Sequence, residues 1–218
     1  MLMVIPEFNV AFEKARQIKQ SLCKKADEDR FITLDEIVEA VKQVSDVVDI
    51  FVATRSFSEL PLPEEIRKSS IPTYGAMLST TTQVNSAGTR ERIAHLIINS
   101  DYGVDMQRFS VAHELGHLIT DIPNFAYEEA DDNRFTISTH VNPDITYISE
   151  EECKNNNYLI AEQVANIFAL LVLVPRDLKI RDLKNEGVEK LTKKYGVTAD
   201  AIYSRMLLSN VKIPEAAG

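Results

Sequence analysis

The chain has 218 residues, with 24 Lys and Arg against 33 Asp and Glu for a formal net charge of -9; 44% of it is hydrophobic, and it holds only 7 Gly and 8 Pro. That length supports one main core and hardly two, and the composition excludes collagen-like and wholly disordered chains. The charge argues against direct DNA binding and against an anionic membrane surface.

Glu7 to Lys25 places Phe8, Phe12, Ala15, Ile18 and Leu22 three or four residues apart, which predicts an amphipathic helix. The apolar start before Pro6 is too short for a signal-peptide core, and no apolar run is long enough to span a bilayer, so a soluble cytoplasmic protein is expected. Cys23 and Cys153, with no C-x-x-C spacing, point to reduced thiols. Thr33 followed by Glu36 forms a capping box ahead of Leu34, Ile37, Val38 and Val41, predicting a second helix to about Val44. Val47 to Val52 is β-branched and predicts a strand. Pro61, Pro63, Ser69, Ser70 and Pro72 break the next stretch into loop, with one helical turn at Glu64 to Lys68.

Tyr74 to Val84 and Arg92 to Ile98 are predicted strands, joined across Asn85-Ser86-Ala87-Gly88. A helix follows from about Asp105 to Ile119. Between Asp121 and Cys153 lie nine acidic residues and one basic, an acidic insertion with a short strand at Phe135 to Ser138. Tyr158 to Val174 predicts a strongly apolar helix, stopped by Pro175. Two short helices, Val188 to Tyr195 and Ala199 to Leu208, close the chain around Gly196. Their segment, Arg176 to Gly218, holds nine basic and six acidic residues. With Arg205, the stretch Tyr195 to Ile202 is similar to a helix-turn-helix, although two simply packed helices are the plainer reading.

His113-Glu114-Leu115-Gly116-His117 is an H-E-x-x-H motif on a predicted helix. Residues four apart share one face, so His113 and His117 can direct two imidazole nitrogens at one ion. Glu114 projects from an adjacent angle, placed to take a proton from a metal-bound water as general base. A catalytic site needs a third protein ligand. Glu162 is the only acidic residue on the Tyr158 to Val174 helix, and Ala165, Asn166 and Ala169 share its face. Small residues there allow close helix approach, and Asn166 can hydrogen-bond a ligand.

Arg108 to Ile119, with Glu162 to Ala169 and Leu171 to Pro175, resembles the ImmA/IrrE zinc metallopeptidases. The resemblance extends upstream through Ile97-Ile98-Asn99-Ser100 and covers about Tyr74 to Leu208. It implies an α+β, gluzincin-like fold, with a zincin-like core, a small antiparallel sheet, N-terminal helices and a C-terminal helical pair. Residues 1–70 would form N-terminal helices and a strand packed on the core, 71–175 the metallopeptidase core, and 176–218 a helix-turn-helix-like subdomain. The resemblance further implies His113, His117 and Glu162 as zinc ligands and Glu114 as general base. The substrate it implies is a helix-turn-helix transcriptional repressor, cut at one site to relieve repression on mobile elements or in stress responses. Between His117 and Glu162 lie 44 residues, longer than the family pattern, because of the acidic insertion.

Tyr158, Tyr147 and His140 are alternative oxyanion stabilisers between which the sequence does not choose. A His-His-Glu set suits zinc and also admits manganese. Gly116 within its helix suggests that a strand or the Glu162 helix packs closely over it. Arg92 to Ile98 is a candidate edge strand for an extended peptide, and His95 on it reads as a packing or surface histidine. The alternative to an enzyme is a zinc-scaffolded regulator that binds and sequesters a repressor without cutting it.

Overall fold

The computed structural model describes residues 6–22, 29–59, 76–120, 134–137, 157–174 and 177–209. In chain order these form α1 (Pro6–Leu22), α2 (Leu34–Val44), β1 (Val47–Arg55), a 3-10 turn (Phe57–Glu59), β2 (Ala76–Val84), β3 (Arg90–Asn99), α3 (Val104–Thr120), β4 (Arg134–Ile137), α4 (Asn157–Leu173), α5 (Ile180–Glu186), α6 (Val188–Tyr195) and α7 (Ala199–Leu208). The chain is α+β. The loop and helical turn expected between Pro61 and Pro72, and both cysteines, fall outside the described residues.

Local chemistry sets the helix ends. Thr33 caps α2: its hydroxyl accepts from the Glu36 N–H at 3.2 Å, while Glu36 Oε2 accepts from the Thr33 N–H at 2.8 Å. Arg30 clamps the same carboxylate through both terminal nitrogens. Between β2 and β3 the Asn85 carboxamide accepts from the Ala87 and Thr89 N–H groups, each at 2.9 Å, and Gly88 takes a positive φ of 77°.

The four strands lie in the order β1-β3-β2-β4. The sheet is mixed and not wholly antiparallel: β1 runs parallel to β3, while β2 runs antiparallel to β3 and β4. Residues 56–75 separate β1 from the β2–β3 hairpin, enough chain to dock the hairpin by its second strand. This puts β3 in the interior, so the strand Arg92 to Ile98 is not an edge available to a peptide; the outer strands are β1 and β4.

One face of the hairpin, Ala76, Leu78, Ala94, Leu96 and Ile98, is buried, and α3 packs against both strands. On its other side α3 meets α4, and α1 covers α4. Every α3 residue from Arg108 to Thr120 is buried, which makes it a central helix, not an amphipathic surface one. Among the described residues no helix is long and apolar enough to cross a membrane.

Among the described residues the C-terminal segment holds three helices instead of a pair. The added one, α5, has no buried residue, so no apolar stripe announces it; the Asp182 carboxylate stabilises its start by accepting from the Lys179 N–H at 2.7 Å. Gly196 ends α6 in the left-handed region at φ 61°, and Thr198 caps α7 by accepting from the Ala201 N–H. A Cβ on Gly196 would also stand 2.6 Å from the Phe31 ring, so glycine is needed on both counts.

Candidate metal centre

The geometry of the centre follows from how closely α3 and α4 approach. A Cβ on Gly116 would lie 3.0 Å from Ala165 Cα and 3.1 Å from Phe168 Cδ1, so the helix carrying Glu162, not a strand, is what packs over this glycine. Ala165 and Ala169 are fully buried, leaving no side-chain bulk to hold the two helices apart.

That approach brings Glu162 onto the two histidines. His113 Nε2 lies 3.3 Å from Glu162 Oε2, His117 Nε2 lies 3.2 Å from Glu162 Oε1, and the two Nε2 atoms are 3.0 Å apart. The imidazole planes cross at 83°, edge against face. A tetrahedral site with bonds of about 2.0–2.1 Å has donor–donor edges of about 3.3–3.4 Å. The two imidazole nitrogens and the two carboxylate oxygens lie near that spacing, and with one ligand atom from each residue His113, His117 and Glu162 can hold a metal ion. Among the described residues they are the one group of His, Cys, Asp and Glu side chains that converges in this way.

Asn166 completes the arrangement one turn beyond Glu162. The His113 Nδ1–H donates to Asn166 Oδ1 at 2.8 Å, which fixes the tautomer and leaves the Nε2 lone pair directed at the cluster. Burial opposes charge on His113, but the Glu162 carboxylate outweighs it and raises the imidazole pKa. Burial likewise opposes charge on Glu162, and its hydrogen bonds to His113 and His117 outweigh it, holding the carboxyl well below its usual range.

Glu114 follows His113 on α3 and is fully buried, as is His113 itself. Tyr158 lies in the first turn of α4, but its side chain is outside the described residues, as are His140 and Tyr147. His95 stands apart on β3, stacked on Phe51 with centroids 5.6 Å apart and 3.3 Å from the Thr81 hydroxyl, as a packing residue.

Two arginines have roles that sequence reasoning did not reach. Arg108, in α3, donates to the carbonyls of Ile32 at 2.8 Å and Gly196 at 3.0 Å, and its guanidinium lies 4.0 Å over the Phe31 ring. It ties the histidine helix to the C-terminal end of α6. Arg205, only 2% exposed, donates to the Val174 carbonyl, Ser209 Oγ and Asp177 Oδ1. It therefore faces the end of α4 and not a phosphate, which removes the arginine from any helix-turn-helix contact surface. The available signal was a lone arginine within an apolar helical period, which suits a buried cap as well as an exposed contact.

Comparison of the chain with protein-family models, with curated proteins and with solved structures returns no match.

Proposed function

We propose that this protein is a zinc-dependent endopeptidase that cuts a helix-turn-helix transcriptional repressor, in the manner of the ImmA/IrrE metallopeptidases its motifs resemble. The observation that carries this reading is the convergence of His113, His117 and Glu162 at 3.0–3.3 Å, with Glu114 adjoining His113 on the same helix. When bound, a zinc ion supplies Lewis acidity that acidifies water and polarises a peptide carbonyl. Glu114 accepts the proton of the attacking water and returns it to the departing amine. Asn166 holds the His113 ring in the tautomer that leaves Nε2 free to ligate. Manganese is the alternative ion for this donor set.

The test combines the zinc-loaded protein with a helix-turn-helix repressor encoded beside it. A single cut is expected, abolished by Glu114→Gln while zinc content and fold persist. A second reading, a non-cleaving regulator that sequesters the repressor, is favoured by the complete burial of Glu114. If wild type and E114Q relieve repression equally and the repressor stays intact, that reading replaces the enzyme.

A further inference from the structure

Strand β1 borders the sheet, and among the described residues it pairs with β3 alone. Its last five residues, Phe51 to Arg55, are all exposed, with Phe51 at 54% and Val52 at 46%. Along a strand the N–H and C=O of one residue point to the same side, and those of the next point to the other. The Arg55 carbonyl accepts from the Ser100 N–H at 2.9 Å, on the β3 side. Phe51 and Ala53 address β3 likewise, so Ile50, Val52 and Thr54 direct their backbone groups outward. Two of those groups meet flanking charges: Asp49 Oδ1 accepts from the Ile50 N–H at 2.9 Å, and Arg55 Nη1 donates to the Thr54 carbonyl at 3.0 Å.

We propose that β1 is a self-association edge, on which two copies of this chain pair antiparallel about a twofold axis through Val52. In that register the outward residues face one another, Val52 against Val52 and Ile50 against Thr54, so their backbone groups exchange hydrogen bonds. Asp49 then stands opposite Arg55 at both ends, and Phe51 meets the small Ala53. The neighbouring outward registers lack this match: centring on Thr54 leaves Asp49 beyond the end of the partner strand at Arg55, and centring on Ile50 sets Asp49 against Phe51. Opposite charges across a strand pair stabilise it and like charges oppose it, so the Val52 register is selected. Protected edges commonly carry lysine or proline, and β1 has neither. On pairing, inter-chain bonds replace the two caps, and Arg55 joins an Asp49 carboxylate that Lys42 Nζ already holds at 2.7 Å. The four-stranded sheet thereby continues across a closed, isologous contact.

Sedimentation velocity of the full chain from low to high micromolar concentration tests this. Wild type is expected to dimerise. Val52→Pro removes an outward donor but no β3 bond, and is expected to be monomeric with an unchanged circular dichroism spectrum. Should that variant misfold, the charge series decides. Arg55→Asp is expected to weaken the dimer by about tenfold, since two attractive pairs become repulsive, and Arg55→Lys, which keeps the charge, to leave it intact. A wild-type chain that stays monomeric throughout, including one whose edge is reserved for a different partner, overturns the proposal. So does a dimer that neither V52P nor R55D disturbs.

Discussion

The α3–α4 interface and the α4–α7 junction both bury charged side chains, but they satisfy them differently. At the junction Arg205 directs its nitrogens at the Val174 carbonyl, Ser209 and Asp177, each acceptor matched to a donor within the chain. At the interface two imidazole nitrogens and a carboxylate converge at 3.0–3.3 Å. Each of those atoms is a lone-pair donor to a cation, so mutual approach is favourable only with a proton or a metal among them. A buried charge whose partners are complementary within the fold acts as structure. Buried donors of one kind aimed at a common point make a site.

The strongest way to break this comparison is to remove a ligand. His113→Ala, His117→Ala or Glu162→Ala should each reduce zinc retained after gel filtration to background, read by atomic emission. Glu114→Gln should retain the zinc and lower any cleavage rate by about 10²–10⁴-fold, the range of one proton-transfer group. Retention of metal by Glu162→Ala would remove α4 from the centre. Asn166→Ala leaves the His113 Nδ1–H without its acceptor, and zinc affinity by calorimetry should fall about 10–100-fold with the fold intact.

Arg205→Met should do the opposite. It severs three hydrogen bonds at the end of α4 and should destabilise the chain by about 2–4 kcal/mol in denaturant unfolding, with zinc affinity nearly unchanged. Gly116→Ala lies between the two cases. Its methyl meets Ala165 backbone at 3.0 Å, so the helices must part, costing about 1–3 kcal/mol and weakening metal binding as Glu162 withdraws. Loss of stability without loss of affinity would show the centre to be less dependent on helix spacing.

The smallest effect is electrostatic and remote from the centre. The Arg30 guanidinium, with the Thr33 cap, holds the Glu36 carboxyl near a pKa of about 2. Because the folded value lies below the unfolded one, this contribution is present above the unfolded pKa of about 4.5 and is lost as pH falls from there towards 2. Its side chain is 36% exposed, so after screening the contribution is about 1 kcal/mol. Glu36→Gln should flatten that limb of the stability profile.

Much of the centre was legible because it rests on local periods. The four-residue spacing of His113 and His117 is a helical-face relation, and Glu162, Ala165, Asn166 and Ala169 repeat it on α4. The α2 cap was legible for the same reason, since Thr33 and Glu36 satisfy each other's backbone within one turn. The antiparallel sheet and the β3 edge were misread because strand order depends on how a hairpin docks across long sequence separation. The role of Arg205 stayed open in the sequence because helical phase does not reveal which neighbour a polar side chain meets. The division at residues 70 and 175, like the roles of Tyr158, Tyr147 and His140, is not addressed by the described structure.

The sequence alone determined the helix carrying the two histidines, the glutamate beside them and the face bearing the carboxylate, since all three follow from residue spacing along single helices. Tertiary structure decided that those helices pack with Gly116 against Ala165, that Glu162 reaches both rings, and that β3 lies inside the sheet with β1 at its border. The reason is physical: a side chain's direction along one helix is set within a few residues, whereas which surfaces meet is set by packing of the whole core.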